Sequence, residues 1–391
     1  MEGVTARAVE VVKEASEYSP ELNDFAIRLF KTCREIKKDD KNMLISPLSV
    51  LFALAMTANG ADEETLAQME KTLGITAAEL NEFAYAYRKL LAERGSEVGK
   101  LELANSIWFT SDPRFKVEQA FLQLNSDYYN ADIFAAPFDT ATVNDINAWV
   151  KEKTDGMIPQ ILNSISDHAV MFLINALAFD AKWIEPYYDF QVYDDTFTTA
   201  AGEKKTLPYL HNTENVYIGD ENADGFVKYY KGGRYAFAAL LPKEGMSVDE
   251  YLAALDGAHL NEMLVNRTEW EVYTSVPKFE TEYSVEMTEI LKGMGMTDAF
   301  DPIAANFSKL GKSEAGNVSI DGVVHKTFIA VDENGTKAGA ATMVMMADGA
   351  AFIPDKPQPK EVYLTRPFIY MLSDCETNSP FFIGVMDCPE E

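Results

Sequence analysis

Positive charge is the first thing this chain is short of. It has 34 Lys and Arg against 62 Asp and Glu in 391 residues, a formal charge of −28. A field of that sign repels phosphate backbones and anionic lipid, so nucleic acid, heparin-like polyanions and membrane surfaces are poor partners. Cysteine is scarce as well. Cys33, Cys375 and Cys388 are too few and odd in number for a disulfide framework. Cys375 and Cys388 could pair across a hairpin, but buried free thiols are the expectation. The four histidines, His168, His211, His259 and His325, are scattered and suggest no metal cluster.

Motifs of catalysis are missing too. There is no nucleophile elbow, no zinc-binding histidine pair and no phosphate-cradling glycine loop. Asp220, Asn222, Asp224 and Gly225 imitate the start of a calcium loop. The closing bidentate Glu should then stand at position 231, which is Lys231, so the stretch reads as a polar turn. An enzyme is therefore not expected, and neither is a cofactor. The start, MEGVTARAVEVVKEAS, shows no basic n-region followed by an apolar h-region, so no signal peptide is visible. Met43 to Ala58 is largely apolar but short and broken by Pro47, which suits a buried helix better than a membrane span.

What is present is an ordinary globular composition, 47% apolar and 25% charged, with no linker and no internal repeat. Phe25, Leu29, Phe30 and Cys33 form an apolar stripe that predicts a helix starting at the cap-like Asn23/Asp24. Ser46-Pro47 opens a helix apolar on nearly all sides, which should run through the middle of the fold. Further helices are predicted over 61–73, 78–93, 118–129 and 143–154. The stretches 101–109 and 170–183 read as central strands covered on both faces. Strand patterns dominate later, at 216–218, 226–230, 236–241, 269–277 and 318–331, and the C-terminal end reads as a hairpin. Helices early and strands late argue an α+β fold with large mixed sheets, folding as one domain over 1–391.

One stretch fits none of the usual patterns. Glu333 to Ala347 has the length of a long strand, yet Gly335, Thr336, Ala338, Gly339, Ala340, Ala341 and Thr342 are all small. Strand interiors favour branched and aromatic side chains. Small residues there mark a place where another backbone comes close. Pro354, Pro357 and Pro359 punctuate the loop that follows.

Over nearly its whole length the chain resembles the serpins, the serine protease inhibitors. The resemblance rests on an ordered set: NMLISPLSVLFALAMTANGA (42–61), LANSIWF (103–109), INAWVKEKTDGMI (146–158), LINALAFDAKW (173–183), VPKFETEYSVEMTEILKGMGMTDAF (276–300), NVSIDGVVHKTFIAVDENGTKAGAAT (317–342), RPFIYMLSD (366–374) and FFIGVMDCP (381–389). It implies three sheets, eight or nine helices and an exposed reactive-centre loop, about 333–360. It also implies a trap: a protease cleaves the loop, and the freed loop inserts as a new central strand before the acyl-enzyme hydrolyses. The native state would then be held kinetically. The implied hinge residues are Glu333, Gly335, Thr336, Ala338, Ala340 and Thr342. An inserting strand starting at Thr336 would turn Thr336, Ala338, Ala340, Thr342 and Val344 inward, with Lys337 outward. The family usually has acids at the positions of Asn334 and Lys337. Ser46, Ser49, Asn175 and His325 resemble the polar cluster beneath the opening of the main sheet, and Trp183 the tryptophan where insertion begins.

The family's spacing from Glu333 puts the reactive bond at Gly349–Ala350. The surrounding window, Met345, Met346, Ala347, Asp348, Ala351 and Phe352 included, holds no Arg or Lys. Trypsin-like pockets, which want a cation, are disfavoured. Small apolar residues suit an elastase-like target, and Phe352 a chymotrypsin-like one. The resemblance implies a monomer acting outside the cell or at its surface, with a cytoplasmic site as the alternative. Sequons stand at Asn266, Asn306, Asn317 and Asn334. A glycan on Asn334 would obstruct insertion, which favours a bacterial or cytosolic producer. Met343, Met345 and Met346 raise the question of oxidative tuning.

Overall fold

The structure is a computed structural model that describes residues 4–94, 99–166, 168–336 and 358–389. The described residues form nine α-helices. They are α1 Ser19–Ile36, α2 Pro47–Ala58, α3 Glu63–Leu73, α4 Ala77–Arg94 and α5 Gln119–Tyr129. Then come α6 Thr140–Lys153, α7 Val248–Ala254, α8 Gly257–Val265 and α9 Thr288–Gly293. Strands interleave with them: β1 Leu44–Ile45, β2 Lys100–Thr110, β3 Phe115–Val117, β4 Asp132–Ala136, β5 Met171–Lys182 and β6 Val192–Thr198. They continue with β7 Lys204–Gly219, β8 Ala223–Tyr229, β9 Tyr235–Pro242, β10 Thr268–Pro277, β11 Phe279–Glu286 and β12 Gly311–Ser313. The last are β13 Val324–Val331, β14 Gly335–Thr336, β15 Lys360–Tyr363, β16 Phe368–Asp374 and β17 Ser379–Met386.

Three sheets result. The largest runs β1-β17-β16-β9-β8-β7-β10-β15, with β6 also paired to β7. A six-stranded sheet runs β11-β13-β14-β5-β2-β4, and β12 pairs β3 in a small ribbon. Between the two large sheets lies α2, buried at every residue but Ala53. Its start was legible: Ser46 caps it, accepting from the Ser49 amide at 3.2 Å, and Pro47 occupies the first position. A second apolar cluster forms between α6 and the six-stranded sheet, around Trp108, Ile146, Trp149, Val150 and Ile174.

Several expectations need correction. Helix α1 begins at Ser19, four residues before the expected cap. Asn23 lies inside it, where its Nδ2 donates to Asn261 Oδ1 (2.9 Å) and the Asn378 carbonyl (3.1 Å). Asp24 pairs with Arg28 one turn on, at 2.6 Å. Pro20 at the first turn was the better start signal. The strand expected from Val318 starts only at Val324. Strand β11 was not expected, although Phe279, Thr281, Tyr283 and Val285 alternate inward and Glu280, Glu282 and Glu286 outward. All three cysteines are free; Cys33 is buried, while Cys375 and Cys388 are only half-buried. The Asp220 stretch is a turn between β7 and β8, its carboxylate accepting from the Asn222 and Ala223 amides at 2.7 and 2.8 Å.

Candidate functional site: a loop strand entering an open sheet

In the six-stranded sheet β13 and β5 are joined through β14, which supplies two residues, Gly335 and Thr336. Strand β14 runs antiparallel to both neighbours, with Thr336 opposite Val331 and Ala181, and Gly335 opposite Lys182. The chain reverses between β13 and β14 through a turn made by Asp332. Its Oδ1 accepts from the Asn334 amide (2.7 Å) and the Gly335 amide (3.1 Å), and its own amide donates to the Gly335 carbonyl (3.0 Å). Asp followed by Asn-Gly is turn chemistry that the sequence carried.

Gly335 has no room for a side chain: a Cβ there would run into the Ala181 carbonyl. Thr336 is buried, and its hydroxyl shares a hydrogen bond with Tyr230. Glu333 stands at the turn, 2.6 Å from Lys278, which holds its carboxyl below the usual range. Of the other hinge expectations, Ala338, Ala340 and Thr342 lie outside the described residues, as do the window Met345 to Phe352 and the Gly349–Ala350 bond.

Trp183 closes the entry end. Its amide donates to the Asn334 carbonyl and its indole Nε1 to the Asp332 carbonyl, both at 2.9 Å. The ring stacks on Tyr230 at 4.4 Å between centroids. Beneath it lies a buried ion pair that sequence reasoning missed: Lys228 Nζ stands 2.8 Å from Glu214. The ammonium also sits 4.5 Å from the Tyr187 ring centre and 5.6 Å from that of Trp183. Burial raises the Glu214 carboxyl above its ordinary range although Lys228 opposes this.

Below β14 a cavity of about 1260 Å³ opens between β5 and β13 over α2. Ser46, Ser49, Asn175 and His325 all line it. They do not form one hydrogen-bonded cluster. On one bank His325 Nε2 accepts from the Ser46 amide at 2.9 Å. On the other, Asn175 Nδ2 donates to Asn105 Oδ1 at 2.9 Å, while Asn175 Oδ1 is buried with no partner. The strands that carry the two halves stand apart, which is why the halves do not meet. An acceptor bond at Nε2 requires neutral imidazole there, and burial pushes the His325 pKa down to about 4. The segment after α6 also lines the cavity, through Ile158, Ile161 and Leu162. Asn147 seats it, accepting from the Ile161 and Leu162 amides (2.8 and 2.9 Å) and donating to the Leu162 carbonyl (2.8 Å).

The six-stranded sheet thus has β5 and β13 joined only through the two residues of β14, over a cavity lined by both strands and α2. The comparisons name the class. Residues 20–389 match the family model described as serpin (serine protease inhibitor), and the chain belongs to the serpin family. Serpins are protease inhibitors, not enzymes. An uncharacterised serpin-like protein of Thermococcus kodakarensis is 29% identical over 98% of this chain and 88% of its own length. A leukocyte elastase inhibitor of Bos taurus is 30% identical over 93% of this chain and 97% of its own. The thermophilic serpin tengpin in its native state superposes with a TM-score of 0.90, at 47% identity, over 98% of this chain and 97% of its own. Its latent state gives 0.84, at 47% identity, over 97% of this chain and all of its own. One fold in this family thus supports two arrangements.

Proposed function

We propose that this chain is an inhibitory serpin that traps serine proteases of elastase-like or broad specificity by inserting its cleaved loop into the six-stranded sheet. The observation that carries this reading is the seat of Gly335 and Thr336 between β13 and β5, above a cavity of about 1260 Å³ lined by both strands. Thr336 faces the interior, so the residues at alternate positions after it would too. All of these are small or β-branched. The hinge roles of Glu333, Gly335 and Thr336, the gating role of Ser46, Ser49, Asn175 and His325, and the guarding role of Trp183 belong to this proposal. So does action outside the cell or at its surface, as a single-domain monomer.

The apolar window without Lys or Arg supports the elastase-like target. A non-inhibitory carrier or chaperone of the same fold is the competing reading, and bulky or charged hinge residues at the inward-facing positions would have favoured it. Mixing with a panel of serine proteases and running a denaturing gel decides between them. A covalent complex with elastase-like enzymes is expected; cleavage or silence without any complex would overturn the trap. Mass spectrometry of the released C-terminal fragment then reads the reactive bond directly.

A further inference from the structure

Eleven large hydrophobic side chains are exposed among the described residues, and five of them are aromatic. Scattered exposed apolar groups need no explanation. These five are not scattered: Tyr188, Phe190, Tyr193, Tyr273 and Tyr363 all lie on or beside the four strands β6, β7, β10 and β15 at one end of the nine-stranded sheet. Phe190 is 79% exposed and Tyr193 54%. The rings are ordered against one another. Tyr188 and Phe190 stack at 5.7 Å, and Tyr193 lies flat on His211 of β7 at 3.7 Å. His211 pairs across to Ser275, and Ser275 to Tyr363; in the next row Tyr273 stands opposite Glu361. Gln191 ties the segment before β6 to β7 through Asn212 Oδ1, at 3.0 Å.

The segment that carries three of these rings is acidic. Residues 184–198 contain Glu185, Asp189, Asp194 and Asp195 and no Lys or Arg. Glu361 is exposed beside Tyr363. On β15, Lys360 is turned to the Tyr217 ring, 4.0 Å from its centre. Aromatic faces and carboxylates in one patch suit a partner that presents Lys and Arg.

Chain geometry says what reaches this face. The Trp270 indole on β10 donates to the Gln358 carbonyl at 3.0 Å, so the reactive loop rejoins the body here. From Gly349 to Gln358 is nine residues. Fully extended, that is roughly 30 Å. A protease domain of roughly 220 residues has a radius of gyration of about 17 Å, hence a width of roughly 40 Å. An enzyme seated on the bond is therefore tethered within reach of this face.

We propose that the acidic aromatic face of β6, β7, β10 and β15 is a second docking surface for the target protease, selecting enzymes with a cationic rim beside the active-site cleft. The proposal rests on the protease-directed reading above. It adds a basis of selection that the loop window, with its undemanding small residues, does not supply. Steering of this kind raises association rates by about 10- to 1,000-fold and fades with salt.

The test uses full-length protein, a cationic elastase-like protease and an anionic protease with the same preference for small apolar residues. The rate read is total attack on the loop, covalent complex plus cleaved chain together. Two variants are compared with the wild type: Phe190→Ala/Tyr193→Ala/Tyr273→Ala, and the charge reversal Asp189→Lys/Glu361→Lys, which spares the rings. A free peptide of residues 345–352 is the control. The expected result is a cationic enzyme favoured at least tenfold on the protein but not on the peptide, with the preference lost in both variants and in 0.5 M salt. Equal rates for both enzymes, rates unchanged in both variants, or no attack by either enzyme would overturn the docking surface. Attack that yields cleaved chain without complex would overturn the trap instead, while the rates still report on docking.

Discussion

His325 shows how much one buried side chain can decide. It stands under the six-stranded sheet with its Nε2 occupied as an acceptor, and its pKa is lowered to about 4 by burial alone. The ordinary histidine value is about 6.5. Because the folded value is the lower one, the unfolded chain takes the proton first. The stability tied to neutral His325 is complete above about pH 6.5, declines as pH falls toward 4, and is fully lost below that. A shift of that size corresponds to on the order of 3 kcal/mol. Denaturant midpoints measured at pH 7.5 and pH 4.5 should therefore differ more in the wild type than in His325→Gln, which cannot titrate. Equal pH dependence in the two would remove His325 from the account. The chemical role of this residue was not legible from its neighbours in sequence, since its partner, the Ser46 amide, is 279 positions away. The family resemblance implies a place for it in a polar cluster, and only the structure shows that Asn175 belongs to the opposite bank.

At the scale of elements, the entry to the slot is a small machine of β5, β7, β8 and β14. Lys228 and Glu214 are nearly closed off from solvent, with 4% and 12% of their side chains accessible. Removing one partner of such a pair typically costs about 3–5 kcal/mol, because the other charge is left buried and alone. Lys228→Met should lower the denaturation midpoint accordingly, and the double variant Lys228→Met/Glu214→Leu should recover most of the loss. If the single and double variants match, the pair does not act as a unit. Thr336→Arg makes a different demand on the same elements. It would put an unpaired charge among buried groups, at a cost of several kcal/mol. A denaturing gel should then show cleaved chain in place of covalent complex, and undiminished complex would argue against insertion.

The Ser46-Pro47 start and long continuous apolar runs foretold α2 and the two central strands. Local patterns could not foretell the ion pair, because Glu214 and Lys228 lie on consecutive strands whose register is set by tertiary pairing. They also misplaced the start of α1, where Asn23 imitates a cap but is a buried tie to Asn261 and the C-terminal hairpin. The turn at Asp332 is readable from its residue types, with Asp332, Asn334 and Gly335 within four positions.

For the whole molecule the proposal requires two states of very different stability. Filling the slot with roughly ten further residues would add ladder hydrogen bonds at about 0.5–1.5 kcal/mol each, on the order of 10 kcal/mol in all. Cleavage of the loop by a non-target protease, followed by calorimetry, should show a melting midpoint well above that of the intact chain. An unchanged midpoint would mean that the slot does not fill. The family includes a native and a latent structure of one thermophilic member, so a second arrangement is within reach of the fold.

The turn from Asp332 to Gly335 has one more consequence, and it concerns time. Starting a hairpin is the slow part, because a loop must be closed before any contact repays it. Here the closure is already made and the first rung, Val331 to Thr336, is in place. A freed loop would begin as a zipper with its slider engaged, adding rungs without a search. Hairpins that must nucleate form in about 1–10 μs, and typical enzyme turnover takes milliseconds to a second. In a race between strand growth and hydrolysis of the acyl bond, the runner that starts from this turn has its first stride behind it.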